Sequence, residues 1–481
     1  MSKIEKIKGY AADCYLHEGP AIRLMEAAKY QDFLSRQKRE VMKRCGSVNP
    51  EDIEAYIQNG GFNALKRAVT AMTPEKVIEQ VKQAELRDRS PQARKTSLDW
   101  ESYGRVRHLP RYVVATRLGG PSEAWMERTL IEGDPFALIE GMAITAYALG
   151  GVSKGIIYIP TAYKPLAFRR MDRAIKAAET HRYLGRDILG TSFSFDIEIR
   201  EVAGEDSQPQ EHNPFVCGEC GRALFDFEGA AKYENFQNIE AWPKPFYVNN
   251  VETYLNIPLI LNKGVDAFAS LGPKDARGTK IFALTGKTKH PCLVEAPIGS
   301  TLMDLLKIAD GDSGGSGLDG ELKAFQVGGP AGGIFPARFQ TTPMDFDSLA
   351  KIGWKIGSGH IVLLDEKVCI VEMTRYSLNQ LVSETCDRCS SCGKALKNIL
   401  SILTRLTKGM GESGDIETLE SFASQIQSKA RCEFGRTAVD TILTGLRYFR
   451  AEYESHLKQS CPAHYCKELT STTERPLKLA A

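Results

Sequence analysis

From Tyr112 to about residue 265 the chain alternates short β-branched runs with longer stretches of helical periodicity. The runs are Arg111-Tyr-Val-Val114, Gly155-Ile-Ile-Tyr-Ile159 and Phe195-Asp-Ile-Glu-Ile199, and helices are predicted over 136–148 and 165–183. This alternation predicts an α/β layer with a partly parallel sheet, because parallel neighbours need a crossover between them. Residues 1–85 read as helices. Pro50-Glu51 opens a segment with Ile53, Tyr56 and Ile57 on one face, and Thr73-Pro-Glu75 opens another carrying Val77, Ile78 and Val81.

Residues 86–110 are crowded with Arg87, Asp88, Arg89, Arg94 and Lys95 and read as a loop. Over 275–345 the pattern changes to short strands, Lys280-Ile-Phe-Ala-Leu284 and Cys292-Leu-Val-Glu295, with one helix near 302–309. This predicts a small α+β unit, with 311–320 as a glycine-rich loop. Helical periodicity resumes from Leu378, is broken at Gly409-Met-Gly-Glu-Ser-Gly414, and gives way to a tail after Cys466 that is expected to be disordered.

Composition narrows the class without naming a function. The chain has 481 residues, 42% hydrophobic and 25% charged, which suits a globular protein of two to four domains. A net charge of +2 gives no overall field that would draw nucleic acid or an anionic membrane. The most apolar stretch, 142–159, is interrupted by Ser153 and Lys154 and does not read as a membrane span. The segment 1–16 lacks the apolar core of a secretory signal, so a soluble, cytoplasmic protein is expected.

The cysteines carry the first chemistry. There are twelve, and in a large chain without an export signal they suggest metal rather than disulfides. Cys386-Asp-Arg-Cys389-Ser-Ser-Cys392, with Cys432 further on, has the ligand spacing of a four-iron, four-sulfur (4Fe–4S) cluster. A structural zinc site is the competing reading, although zinc usually takes its thiolates as two separated pairs. A second group, His456, Cys461 and Cys466, suits zinc if Cys369 joins it, with His464 competing as the nitrogen ligand. Cys217-Gly-Glu-Cys220 reads as a redox dithiol or half a metal site. Gly328-Gly-Pro-Ala-Gly-Gly333 reads as turn material or as a phosphate cradle.

Several segments together resemble the flavin- and NADH-binding subunit of respiratory complex I and of NAD-linked and electron-bifurcating hydrogenases and formate dehydrogenases. They are the stretch from Cys45 to Ile57, Glu132-Gly-Asp-Pro-Phe-Ala-Leu-Ile-Glu-Gly-Met142, Cys217-Gly-Glu219, Val248-Asn-Asn-Val-Glu-Thr253 and the cluster motif ending at Cys432. The closing stretch from Glu452 to Lys467 resembles the hydrogenase branch. The resemblance implies an α/β multidomain fold: a helical segment over 1–85, a Rossmann-like flavin-type domain over 86–270 and a β-grasp (ubiquitin-like) domain over 271–360. It further implies a helical bundle carrying the iron–sulfur cluster over 361–450, followed by a C-terminal segment over 451–481 that contains the candidate zinc ligands His456, Cys461 and Cys466. The implied partners are subunits of an oxidoreductase complex: a thioredoxin-like 2Fe–2S subunit and hydrogenase-, formate dehydrogenase- or other flavoprotein-type subunits.

Three segments depart from that family. Its flavin-phosphate loop, Leu-Arg-Gly-Arg-Gly-Gly-Ala-Gly-Phe-Pro-Thr-Gly, is here Leu86-Arg-Asp-Arg-Ser-Pro-Gln-Ala-Arg-Lys-Thr-Ser97. All five glycines are replaced, Pro91 removes an amide donor, and Arg94 stands where an aromatic would stack on the nicotinamide dinucleotide. The isoalloxazine loop has become Ala115-Thr-Arg-Leu118, and a further flavin loop reads Gly218-Glu-Cys-Gly-Arg-Ala223. Glu219, Asn249, Asn250 and Thr253 match flavin-contacting positions and are the cofactor ligands if FMN binds. The expectation is an iron–sulfur electron-transfer or scaffold subunit with a 4Fe–4S cluster, possible zinc, and neither FMN nor NAD. The alternatives are an active FMN-dependent NADH:acceptor oxidoreductase with an unusual pocket, and a structural subunit without redox traffic.

Overall fold

The computed structural model describes residues 27–470, apart from 91–92, 105–110, 116–123, 161–163, 203–245, 290, 312–319, 354–355, 384, 386–391 and 431–432. The first sheet has four parallel strands, β1 (Tyr112–Ala115), β2 (Lys154–Pro160), β3 (Asp196–Val202) and β4 (Phe246–Asn249), in the order β3-β2-β1-β4. The order reverses between β1 and β4, the kind of switch point at which open α/β sheets place ligands beyond the carboxyl ends of their strands. Ala115 and Asn249 end those two strands side by side.

The helix Pro135–Leu149 is buried on nearly every side, which explains why its sequence is apolar all round rather than striped. Gly141 permits this: a Cβ there would lie 2.1 Å from the carbonyl oxygen of Tyr254, so the helix meets Val251–Lys263 backbone to backbone. Glu140, fully buried, is not a stray charge. Its carboxylate accepts the Tyr56 hydroxyl at 2.6 Å and the Phe62 and Leu65 amides at 3.0 and 3.1 Å. Phe62 precedes the helix Asn63–Ala71 and has no capping side chain, so Glu140 takes the orphan donors of that helix from outside.

The second sheet contains β5 (Thr279–Gly286), β6 (Cys292–Pro297), β7 (Leu322–Val327), β8 (Gly333–Pro336) and β9 (His360–Asp365), in the order β6-β5-β9-β7-β8. Only β5 and β9 run parallel. The helix Leu302–Asp310, started by a Thr301/Asp304 capping box, completes the β-grasp. The rest is helical: Ile370–Ser383, Gly393–Thr407, Asp415–Lys429 and Asp440–Leu457 form a bundle around Leu396, Leu403, Leu419 and Ile442. No helix among the described residues is long and apolar enough to cross a membrane.

Four expectations need correction. Residues 86–110 are not all loop, because Thr96–Gly104 is a helix. Its Trp100 and Tyr103, three apart, fill the core beside Tyr247, a packing signal hidden by the surrounding charges. The C-terminal helices start at Ile370 rather than Leu378. The segment 165–183 begins as a π turn at Lys164–Phe168 and becomes α-helical at Arg169–Thr180. After Cys466 the chain forms a short helix, Lys467–Thr470, in which Leu469 is buried against Gly409; residues 471–481 lie outside the description.

Glu295 ties the N-terminal segment to the β-grasp, accepting the amides of Val41 and Met42, each at 2.8 Å, and the Thr279 hydroxyl. Burial pushes its carboxyl up to about 7, against that hydrogen bonding. A carboxyl raised in the folded state favours folding while it is protonated. That contribution is complete below the unfolded value near 4.5 and is lost as pH rises towards 7. The wild type should therefore lose on the order of 3 kcal/mol relative to Glu295→Gln between pH 4.5 and pH 7.5. Urea midpoints of the two proteins across that range test it, and parallel curves would refute it.

Candidate functional site

Three sites can be built from these elements. The first lies at the end of the bundle. Cys369 leads into the helix Ile370–Ser383, His456 ends Asp440–Leu457, and Cys461 and Cys466 flank the turn that follows. All four are buried, and their ligand atoms lie within 4.8 Å of one another. Cys369 Sγ and Cys466 Sγ are 3.8 Å apart, and His456 Nε2 stands 3.4 Å from Cys369 Sγ and 3.5 Å from Cys466 Sγ. Tetrahedral zinc with ordinary bond lengths gives edges of about 3.8 Å between sulfurs and about 3.6 Å between sulfur and nitrogen. His456 Nδ1 lies 2.7 Å from the carbonyl of Glu452. A carbonyl only accepts, so Nδ1 carries the proton and Nε2 presents its lone pair to the sulfurs.

The thiols are polarised against one another. Hydrogen bonds, chiefly from Cys369 and then Cys466, hold Cys461 far below the ordinary thiol range, while burial pushes Cys369 well above it. Of the two histidines in contention, His456 is the one in the group; His464 is exposed and outside it. Glu452, which sequence alone did not single out, supports the group twice. Its carbonyl orients His456, and its carboxylate accepts the Ile370 amide at 3.1 Å and pairs with Lys323.

Of the predicted cluster ligands, Cys392 is described. It is buried at the start of the helix Gly393–Thr407, against Gly435, three residues beyond Cys432. The segment that follows Cys432 thus lies beside Cys392. Cys386, Cys389 and Cys432 themselves lie outside the described residues, as do Glu219, Cys217 and Cys220.

The third site lies at the carboxyl ends of β1 and β4. Asn249 ends β4, and Asn250 caps the helix Val251–Lys263 by accepting the Thr253 amide at 2.7 Å. Asn249 spends its own groups locally, donating to the Tyr247 hydroxyl and accepting the Asn250 amide. The Nδ2 of buried Asn250 has no partner among the described residues. Arg89 reaches this point, its amide donating to Thr253 Oγ1 at 2.8 Å.

Within the loop, the Asp88 carboxylate accepts the Ser90 amide at 2.9 Å, the Arg94 amide at 3.1 Å and the Ser90 hydroxyl. Burial raises the Asp88 carboxyl while these bonds pull it down. Ala93 holds φ +49°, a left-handed conformation suited to glycine. Arg94 is exposed. The Gly328–Gly333 run is not a phosphate cradle. It is a close-packed joint, in which Thr441 donates to the Pro330 carbonyl and a Cβ on Gly332 would collide with Val327.

Comparison with known proteins places these sites in context. Residues 81–259 match the family model of the Nuo51 FMN-binding domain, and residues 372–456 match the NADH-ubiquinone oxidoreductase-F iron-sulfur binding region. The NADP-reducing hydrogenase subunit HndC of Solidesulfovibrio fructosivorans is 36% identical over 92% of this chain and 88% of its own. The NADH-quinone oxidoreductase F subunit of Escherichia coli (strain K12) is 30% identical over 85% of this chain and 91% of its own. Among solved structures, the NAD+-reducing [NiFe]-hydrogenase in the air-oxidized state superposes with a TM-score of 0.70 at 21% identity, covering 94% of this chain and 78% of that one.

Proposed function

Given that this chain belongs to the family of NADH-quinone oxidoreductase F subunits and the hydrogenase protein HndC, we propose that it is an iron–sulfur electron-relay subunit of a multi-subunit oxidoreductase that works without FMN or NAD. The 4Fe–4S cluster would be held by Cys386, Cys389, Cys392 and Cys432, supplying a one-electron store when bound. The protein's part is to bury it: Cys392 sits inside the bundle core, which excludes water and so sets the potential. Zinc at Cys369, His456, Cys461 and Cys466 would pin the C-terminal turn to the two helices that frame the bundle. The partners would be a thioredoxin-like 2Fe–2S subunit and hydrogenase-, formate dehydrogenase- or other flavoprotein-type subunits.

The observation that carries the flavin-free reading is the loop 86–97, in which Asp88 has already taken the Ser90 and Arg94 amides. Phosphate binding by such loops depends on free amides and on glycines that let the ligand approach. One observation favours the alternative, an FMN-dependent NADH:acceptor oxidoreductase: the Nδ2 of Asn250 is a buried donor with no partner among the described residues.

The two are separated by acid-released flavin, iron and sulfide in the anaerobically purified chain, prepared with its partner subunits. About four irons and four sulfides per chain without flavin, with a reducible paramagnetic signal, support the relay. Close to one FMN per chain would overturn the flavin-free reading. Iron without a reducible signal would instead favour a structural subunit.

A further inference from the structure

We propose that the Ser90 amide and hydroxyl and the Arg94 amide form an anion cradle which the chain occupies with its own carboxylate, Asp88 standing where an oxyanion such as a phosphate group would be held. The inference rests on the flavin-free reading and adds a mechanism to it.

Three donors converge on two oxygens. The Ser90 amide and hydroxyl meet Asp88 Oδ1, and the Arg94 amide meets Oδ2. A carboxylate bonding only to the amide two residues on makes a simple turn. Here the second oxygen reaches the amide six residues along the chain, and the Asp88 amide donates in return to the Arg94 carbonyl at 2.8 Å, so Asp88 and Arg94 are tied to each other twice. Asp88 and Ser90 are 4% and 3% exposed, so the anion is enclosed.

A cation is locked beside it. The Arg89 guanidinium is almost wholly buried and bonds the carbonyls of Arg87 at 2.9 Å and Arg277 at 2.7 Å, while its Nε has no partner among the described residues. Its charge is coupled to Glu252 and Asp88. Without the Asp88 carboxylate, two inward amides and a neighbouring guanidinium would lose a negative partner, an arrangement that recruits oxyanions.

The test uses the full chain, wild type and Asp88→Ala, titrated with inorganic phosphate against chloride at matched ionic strength and separately with FMN. Asp88→Ala should bind phosphate at least about tenfold more tightly than wild type. Its thermal midpoint should rise by roughly 4 °C or more in saturating phosphate, with the wild type unmoved. FMN binding in the variant alone would identify a flavin phosphate as the anion that fits. Phosphate without FMN would identify a free oxyanion.

If Asp88→Ala folds poorly, refolding yield in phosphate against chloride replaces the midpoint, and a yield indifferent to phosphate overturns the proposal. So does equal phosphate binding by both proteins. A flavin-free wild type with an anion-blind variant sinks this inference alone. Stoichiometric FMN in the wild type sinks it together with the flavin-free reading.

Discussion

Cys466→Ser and Cys369→Ser should each reduce bound zinc from about one ion per chain to nearly none. Each should also destabilise the C-terminal bundle by at least about 3 kcal/mol, a modest share of the roughly 10–16 kcal/mol that structural zinc supplies in isolated modules. The size follows from what the group joins. Cys369 and His456 are 87 residues apart, on the helices Ile370–Ser383 and Asp440–Leu457, and the two cysteines beyond bring the last described turn onto both. Losing one ligand leaves three polar, buried groups without the cation that satisfies them. His464→Ala is the control and should change neither zinc nor stability, because that side chain is exposed and outside the group. Elemental analysis with thermal unfolding decides it. Full zinc retention in both serine variants, or a metal-free wild type prepared without chelator, would refute the assignment.

Glu252→Ala should destabilise the chain by about 3–5 kcal/mol, because it strands a buried ammonium. Lys280 is fully buried, with its Nζ 2.7 Å from the Glu252 carboxylate and 3.4 Å from the Arg89 carbonyl. The second Glu252 oxygen accepts the Ile281 amide at 2.8 Å, so one carboxylate joins the helix Val251–Lys263 to β5. The double variant Glu252→Leu, Lys280→Met should recover most of the loss, since desolvating two ions offsets much of their mutual attraction. Urea unfolding of both single variants and the double gives the coupling directly. Additive losses would mean that the two side chains do not act as a pair.

The helices and strands were legible wherever a local period was strong. Thr73-Pro-Glu75 predicts a helix start, and Thr73 caps Pro74–Gln83 there. Lys280 to Leu284 predicts a strand, and β5 contains it. The misreadings came where packing overrode composition. Trp100 and Tyr103 make a helix in a charged stretch because they reach the core beside Tyr247, and Leu469 orders residues after Cys466 by filling a space above Gly409. Neither partner is a sequence neighbour, so no local pattern announces it.

The candidate sites divide in the same way. The cluster motif is readable because three of its cysteines fall within one short segment at the spacing expected of cluster ligands. The C-terminal set could be proposed from residue types, but the choice of His456 over His464 depends on which side of a turn faces the bundle. The replaced glycines at 86–97 were visible in the sequence, but the use Asp88 makes of the loop amides was not. By itself the sequence carried the family resemblance in its motifs and the alternating architecture in its local periods, and it made the cysteine groups candidates by their spacing. Only the tertiary structure decided which distant side chains share a metal-sized space and which carboxylate fills the cradle, because those follow from helices and loops packing across long stretches of chain.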